Sequence, residues 1–390
     1  MAIAIRWLDS VDQVPDELWA ACFPPPLEGR WWYEALEKCG LEDQFSFAYA
    51  LIEKDGSPVG LAPAFVMDVP LDVIVPEQLA SFVRTVGKYL RFVRYQRTLF
   101  VGSPCSEEGT VGLIPGVGLV EVAVPLAHAL SERARRAGAW MIVWKDFAEQ
   151  DATALSGLDG FFRVVSYPGT KLALPPGGLD AYLATLKSAH RNKLKKKLRV
   201  GPEALPTESS VAQHPDAATL AEIFALFWQT YTKGKTKFER LNLRFFERIA
   251  AAPTSHFVLL RKKESRELVA FMLVFDCGPR LVNKFIGINY AIPDAYLYFQ
   301  LWAAAVDWAS LRGFTEIQSG QTGYSAKLEI GNTLVPLVNF ARHRNPLVHW
   351  IFAREAREIS WATIDRDLAA HLAARVLPES GGTVILPRRG

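Results

Sequence analysis

The run Leu281-Val282-Asn283-Lys284-Phe285-Ile286-Gly287-Ile288-Asn289, the apolar stretch from Tyr296 to Arg312, and then Phe314 to Lys327 carry the reading of the fold. The first reads as a strand, rich in β-branched and aromatic residues. Through Pro293 it leads into a long apolar helix, Tyr296 to Arg312, for which Gly313 is the stop signal. Phe314 to Gln318 reads as a second strand, ending at Ser319. The loop Gly320-Gln321-Thr322-Gly323-Tyr324-Ser325-Ala326-Lys327 follows. This order sets a tyrosine and a lysine just beyond a strand end, beside the start of a helix, where ligands sit in α/β sheets.

Upstream of this stretch the same grammar recurs. Leu220 to Tyr231 and Leu243 to Ala251 have helical spacing, and His256 to Arg261 and Leu268 to Phe275 read as strands about the polar turn Lys262 to Arg266. In the first part of the chain, helices are expected around Glu17 to Cys22 and Arg30 to Cys39. A hairpin from Phe45 to Met67 turns at Asp55-Gly56. A strand near Thr98 to Val101 comes next, and Val120 to Val124 leads into the helix Leu126 to Ala137, closed by Gly138. Trp140 to Lys145 and Phe162 to Ala173 complete the set as strands. Each half thus reads as two helices, an antiparallel hairpin and a strand-helix-strand unit, a structural duplication without a residue-by-residue repeat. Pro346 to Leu377 reads as helix and Gly381 to Gly390 as an extended tail.

Between the halves, Leu179, Leu183, Leu186, His190, Leu194 and Leu198 form a near-heptad stripe. Lys187, Arg191, Lys193, Lys195, Lys196, Lys197 and Arg199 decorate that helix, and Gly201-Pro202 is expected to end it.

At 390 residues the chain has room for two domains. With 50% hydrophobic residues, 11 Trp, 11 Tyr and 23 Phe, it has the makings of large cores rather than of a disordered scaffold. A net charge of +3 is too small to define a partner, and DNA is not among those expected. Cys22, Cys39, Cys105 and Cys277 lack CxxC spacing, so neither a zinc ribbon nor a disulfide framework is indicated, and no metal site is expected. A reducing cytoplasm fits. Met1 to Val11 reads as a short strand without the features of a signal peptide. Asp307 and Arg312 interrupt the best apolar run, which excludes a spanning helix there. Peripheral contact with an anionic membrane stays open, on the aromatic content and the basic segment.

Ser188-Ala189-His190-Arg191-Asn192-Lys193-Leu194 is similar to the helix that opens the second domain of FemABX-like and acetyltransferase-6 proteins of the GNAT superfamily. Tyr231, Phe238 and Phe245-Phe246 fall where those proteins carry an aromatic stretch. Gln318 to Gly323, with Tyr324, Lys327 and Gly331, resembles their glycine-bearing strand end and terminal Tyr-x-x-Lys-x-x-x-Gly. The likeness spans about residues 180 to 345. It implies an α/β (α+β) fold of two tandem GNAT-like domains, each a mixed, mostly antiparallel sheet flanked by helices. The expected division is 1–175, a divergent first domain; 176–345, a second domain carrying the acyl-transfer site; and 346–390, a C-terminal helix and tail.

The implied activity is transfer of an acyl group to an amine. Acyl-CoA is the expected donor, and a long-chain lipid amine is one acceptor considered; in the FemABX branch the donor is an aminoacyl-tRNA and the acceptor a peptidoglycan precursor. No Arg/Gln-x-x-Gly-x-Gly/Ala pyrophosphate loop precedes Tyr296, so a non-catalytic binding protein is the third reading.

Acyl transfer needs an unprotonated amine, aligned reactants and a stabilised oxyanion. By the resemblance, backbone amides where two parallel strands splay, Phe285 to Asn289 against Thr315 to Gln318, would serve the oxyanion, placing Ile288, Asn289 and Tyr296 at the donor. Lys327 would hold a donor phosphate or the leaving group; the other reading is a surface lysine beside Glu329. Tyr324 would hydrogen-bond substrate or donate a proton, or else be a buried structural tyrosine. Arg191 and Lys193 would reach donor phosphates, tRNA or anionic headgroups, or form a solvated helix face. Glu316, Glu329, Asp276 and His343 are candidate bases, although Glu316 alternates with Ile317 and so faces away from the core. Tyr290, Tyr296 and Phe299 are core residues or the wall of a channel for a long acyl chain.

Overall fold

The computed structural model describes residues 2–70, 95–234 and 240–376. Two sheets carry the chain, and they are built on one plan.

The first comprises β1 (Ile3–Leu8), β2 (Ser46–Lys54), β3 (Ser57–Pro70), β4 (Tyr95–Val101), β5 (Gly112–Leu113), β6 (Met141–Ala148) and β7 (Phe162–Val165). Helices α1 (Asp16–Cys22) and α2 (Arg30–Glu37) lie between β1 and β2. Helix α3 (Leu119–Arg136) joins β4 to β6, and α4 (Glu149–Leu155) follows β6. The second comprises β8 (Gly169–Ala173), β9 (Thr207–Ala212), β10 (Ser255–Lys262), β11 (Leu268–Cys277), β12 (Arg280–Ile288), β13 (Glu316–Ser319) and β14 (Thr333–Val335). Helices α5 (Gly178–Thr185) and α6 (Ser188–Ala204) precede β9. Helices α7 (Ala217–Lys233) and α8 (Leu243–Ala250) lie between β9 and β10. Helix α9 (Leu297–Leu311) joins β12 to β13, and α10 (Tyr324–Ile330) follows β13. The chain continues as β15 (Leu337–His343), α11 (Pro346–Glu355), α12 (Trp361–Ile364) and α13 (Arg366–Val376).

Strand order is β1-β2-β3-β4-β6-β15-β7 in the first sheet, with β5 on β3, and β14-β8-β13-β12-β11-β10-β9 in the second. Each has one parallel pair, β4 with β6 and β12 with β13. Laid one over the other, the sheets match strand for strand. The sixth place in each is filled from the opposite half: β15 enters the first sheet beside β6 and β7, and β8 enters the second beside β13 and β14. Strand pairing therefore crosses the expected division at residue 175 in one direction and the segment before 345 in the other.

The local chemistry explains these elements. Asp216, Asn242 and Asn345 cap α7, α8 and α11 by accepting N-terminal backbone N–H groups. Central strands β3 and β11 are buried almost end to end, as sheets covered on both faces require. A shared aromatic core joins the halves: the Trp32 ring of α2 lies 5.9 Å from Phe245 and 5.7 Å from Phe275.

Several expectations need correction. The helix expected from Leu126 begins earlier, so that Val120 to Val124 form the first turns of α3, exposed on one side. Phe162 to Ala173 is two strands in different sheets. The interdomain helix breaks at Leu186, which adopts extended backbone, and it runs through Gly201-Pro202 to Ala204 instead of ending there. Gly201 serves a close approach, since a Cβ there would stand 2.5 Å from the Ala295 carbonyl. Tyr324 to Lys327 is the start of a helix rather than loop. Pro346 to Leu377 is three helices as far as it is described. The tail Gly381 to Gly390 and Phe238 lie outside the described residues.

Candidate active site

Strands β12 and β13 run parallel from Arg280 opposite Glu316 to Asn283 opposite Ser319. There the pairing stops, while β12 continues to Ile288 paired only with β11. The strands thus part just after Ser319, and Thr315 to Gln318, expected to flank the opening, lie before it.

Lys284, the first residue beyond the last pair, has a fully buried side chain. Its Nζ stands 2.7 Å from Glu28 Oε1 and 3.5 Å from Glu107 Oε1, and 4.3 Å from the centre of the Trp32 ring. Glu28 precedes α2 and Glu107 lies in the loop after β4, so both carboxylates come from the first half. Burial works to lower Lys284, but the combined pull of Glu28 and Glu107 outweighs it and the ammonium is pushed up to about 12. With Glu28 as the nearer partner, Glu107 is the weaker-held carboxylate. Burial raises its pKa, with help from Glu28, against the pull of Lys284 and Lys327.

Lys327 completes the cluster. Gly323 and Gly331, both left-handed, bracket the short helix that carries it. Asn332 Nδ2 donates to the Lys327 carbonyl at 2.9 Å, and Lys327 Nζ donates to the carbonyl of Gly320. Burial lowers this lysine to about 8, and the field of Glu107 keeps it from falling further. Gly320 gives Glu107 its place: a Cβ there would sit 2.5 Å from Glu107 Oε2, so the carboxylate would have to shift. Two buried atoms at this junction have no partner among the described residues, Asn283 Oδ1 and Gln321 Nε2. Strongly displaced titrating groups with opposed tendencies, in one buried place, mark a candidate site.

Of the residues singled out from sequence, Lys327 alone lies in this cluster. Glu316 pairs with Arg280 at the other end of the short ladder, about 10 Å up the strand. Arg280 also donates to Gln318, whose amide reaches Glu108 at 2.7 Å. Tyr324 is fully buried, its hydroxyl donating to the Pro168 carbonyl at 2.8 Å. Arg191 donates to the Ala184 and Leu186 carbonyls, holding the end of α5. Ile288 packs in the apolar cluster under α9, and Asn289 closes a local turn by accepting from Ala291 N–H.

Lys193 and Tyr296 meet in a second group. Glu329 lies 3.3 Å from Lys193 and 2.7 Å from Lys197, and the Lys197 ammonium stands 3.8 Å from the centre of the Phe299 ring and 5.6 Å from that of Tyr296. Although burial pushes Glu329 up, these two lysines hold it below the usual range.

Sequence reading missed Glu28, Lys284 and Glu107. Lys284 carried a signal, a charge in the middle of a mostly apolar strand. The glutamates carried none, since their partner is some two hundred residues away. Two open grooves, of about 560 Å³ beside Trp228 and Arg240 and about 440 Å³ beside Trp308 and Arg312, do not include the cluster. Among the described residues no group of three or more side chains is arranged to hold a metal, and no helix is long and apolar enough to cross a membrane.

The second half matches a family described as peptidoglycan biosynthesis/recognition, FemAB-like, over residues 177–354. That segment is thus similar to the FemAB-like family. It contains Lys284, Lys327 and the parted strands, whereas Glu28 and Glu107 reach it from outside. No curated protein matches the chain in sequence. Among solved structures, FemX superposes with a TM-score of 0.56 at 13% identity, covering 90% of this chain and 100% of its own. A tandem GNAT protein from the clavulanic acid biosynthesis pathway gives 0.52 at 11%, covering 88% and 99%. L-PGS from Bacillus licheniformis gives 0.50 at 13%, covering 85% and 98%. The fold of the two halves is therefore the tandem GNAT-type arrangement expected.

Proposed function

We propose that the protein is an acyltransferase that joins an activated acyl group to an amine, with Lys327 and Glu107 handling the proton. The observation that carries this reading is the buried Lys327–Glu107–Lys284–Glu28 cluster at the place where β12 and β13 part. An incoming ammonium must lose a proton before its nitrogen attacks a carbonyl. Lys327, lowered to about 8, holds an amine that accepts that proton near neutral pH. The C–N bond forms as the carbonyl electron pair moves onto oxygen. The N–H groups of β12 that face away from β11 beyond Asn283 are suited to hold this oxyanion. As the tetrahedral species collapses, the acyl–leaving group bond breaks and the leaving group takes the proton from the Lys327 ammonium; the attacking nitrogen then gives its second proton to the freed Lys327 amine, which passes it to solvent. Lys284, held cationic by Glu28, keeps the local field positive while negative charge develops.

The donor proposed is an acyl-CoA thioester. Tyr296 and Phe299 offer an apolar wall for a long-chain amine acceptor, with Lys193 and Lys197 at its rim. A second reading, an aminoacyl-tRNA donor, is favoured by the exposed bases of α6, Lys193, Lys195, Lys196 and Arg199, in a stretch without acidic residues from Ala181 to Pro202. Amide formation with acyl-CoAs of increasing chain length, followed by mass spectrometry, tests the first. Dependence on charged tRNA with steep loss in salt identifies the second. If neither donor gives an amide, and Lys327→Ala alters no ligand affinity, the protein is a binding protein and the proposal fails.

A further inference from the structure

Helix α11 packs one face against the first sheet, where Phe352 joins Met141, Val143 and Ala341 and the His343 ring lies 5.9 Å from Phe352. The opposite face is bare. Leu347, Trp350 and Ile351 are 66%, 59% and 38% exposed, and with Arg354 they fall at the i, i+3, i+4, i+7 spacing of one helix stripe. No residue of this helix is fully buried. Just before it, Arg344 lies over the ring of Trp140, another large side chain left half exposed. The exposed arginines along the segment are Arg342, Arg344, Arg354 and Arg357; Glu358 is exposed and Glu355 partly buried.

We propose that this face is a docking surface for a membrane carrying anionic headgroups. Tryptophan and branched aliphatic side chains projecting beside arginines are the composition that settles at the boundary between acyl chains and headgroups. Charge decides between occupants. A second copy docked by a two-fold axis would set the same arginine rim against itself, whereas anionic headgroups complement it. A helix of 10 residues gives shallow, reversible attachment, so binding is weak on neutral lipid and steep in anionic fraction. The surface is independent of the reaction proposed above.

The test is co-sedimentation of the full chain with vesicles of phosphatidylcholine alone or mixed with phosphatidylglycerol. At least about tenfold more protein is expected on the anionic vesicles, fading as salt rises. Trp350→Ser with Ile351→Ser should remove the binding, and Arg344→Gln with Arg354→Gln should weaken it, with the melting temperature of each variant unchanged. The proposal is overturned if the wild type does not bind anionic vesicles or if the variants bind equally well. It is also overturned if the serine variant melts lower, which would mean the stripe is covered within the chain, or if it splits a dimer in gel filtration.

Discussion

Replacing Lys327 by methionine is expected to stabilise the fold at neutral pH while stopping the proposed reaction. In the folded protein the fall of this lysine from 10.5 to about 8 corresponds to about 3 kcal/mol against the charged form. Methionine fills nearly the same volume without charge, so that penalty disappears. Against it, the Gly320 carbonyl loses its donor, at about 1 kcal/mol, and Glu107 loses one of two cations while keeping Lys284. A net gain of about 1 to 2 kcal/mol at pH 7 follows. Its pH dependence is the sharper signature. Below about pH 8 the wild type carries the whole penalty. Between about 8 and 10.5 the folded amine is neutral while the unfolded chain still binds the proton, so wild-type stability rises with pH and the advantage of the variant fades. Urea unfolding of both proteins at pH 7, 8.5 and 10 measures the difference. A variant less stable than wild type at pH 7, or a difference constant across that range, refutes the argument that burial depresses Lys327.

Three further outcomes are expected. Turnover of the wild type should rise through an inflection near pH 8; Glu107→Gln should move that inflection downward, because the field of Glu107 is what raises Lys327, and pH–rate profiles of the two check it. Gly320→Ala forces a methyl group into Glu107 and should lower kcat/KM at least about tenfold, roughly 1.4 kcal/mol of barrier, with a near-native circular dichroism spectrum. Lys284→Met should destabilise by about 3 to 5 kcal/mol, since it leaves Glu28 without its cation and Glu107 with Lys327 alone; the contrast with Lys327→Met in the same urea assay separates a structural lysine from a strained one.

The repeated plan was legible because each half writes strand and helix periods strongly in its own residues. The hairpin about Asp55-Gly56 and the unit from Arg280 to Ser319 are found within three residues of where the pattern puts them. Strands β14 and β15 were not anticipated: β14 has only three residues, and β15 takes its place from β6 and β7, far away in sequence. The merged strand at Phe162 to Ala173 failed for a related reason, since nothing local says that Pro168 divides two sheets. In the candidate site, Lys327 was readable from its strand-end position. Glu107 became meaningful only once folding set it against Gly320 and Lys284. Tyr324 and Arg191 show the opposite: suggestive by motif, each is occupied with a backbone carbonyl.

The reciprocal placement of β8 and β15 bears on how the chain is made. When residue 165 leaves the ribosome, β7 has no neighbour to pair with, because the strand that joins it to β6 lies at Leu337–His343. The first sheet therefore stays open along one edge until Leu337–His343 has been made, and a truncated product ending before residue 337 is left with that edge bare. Cutting the chain at its midpoint cannot yield two independent folding units, as each fragment carries off a strand its counterpart needs.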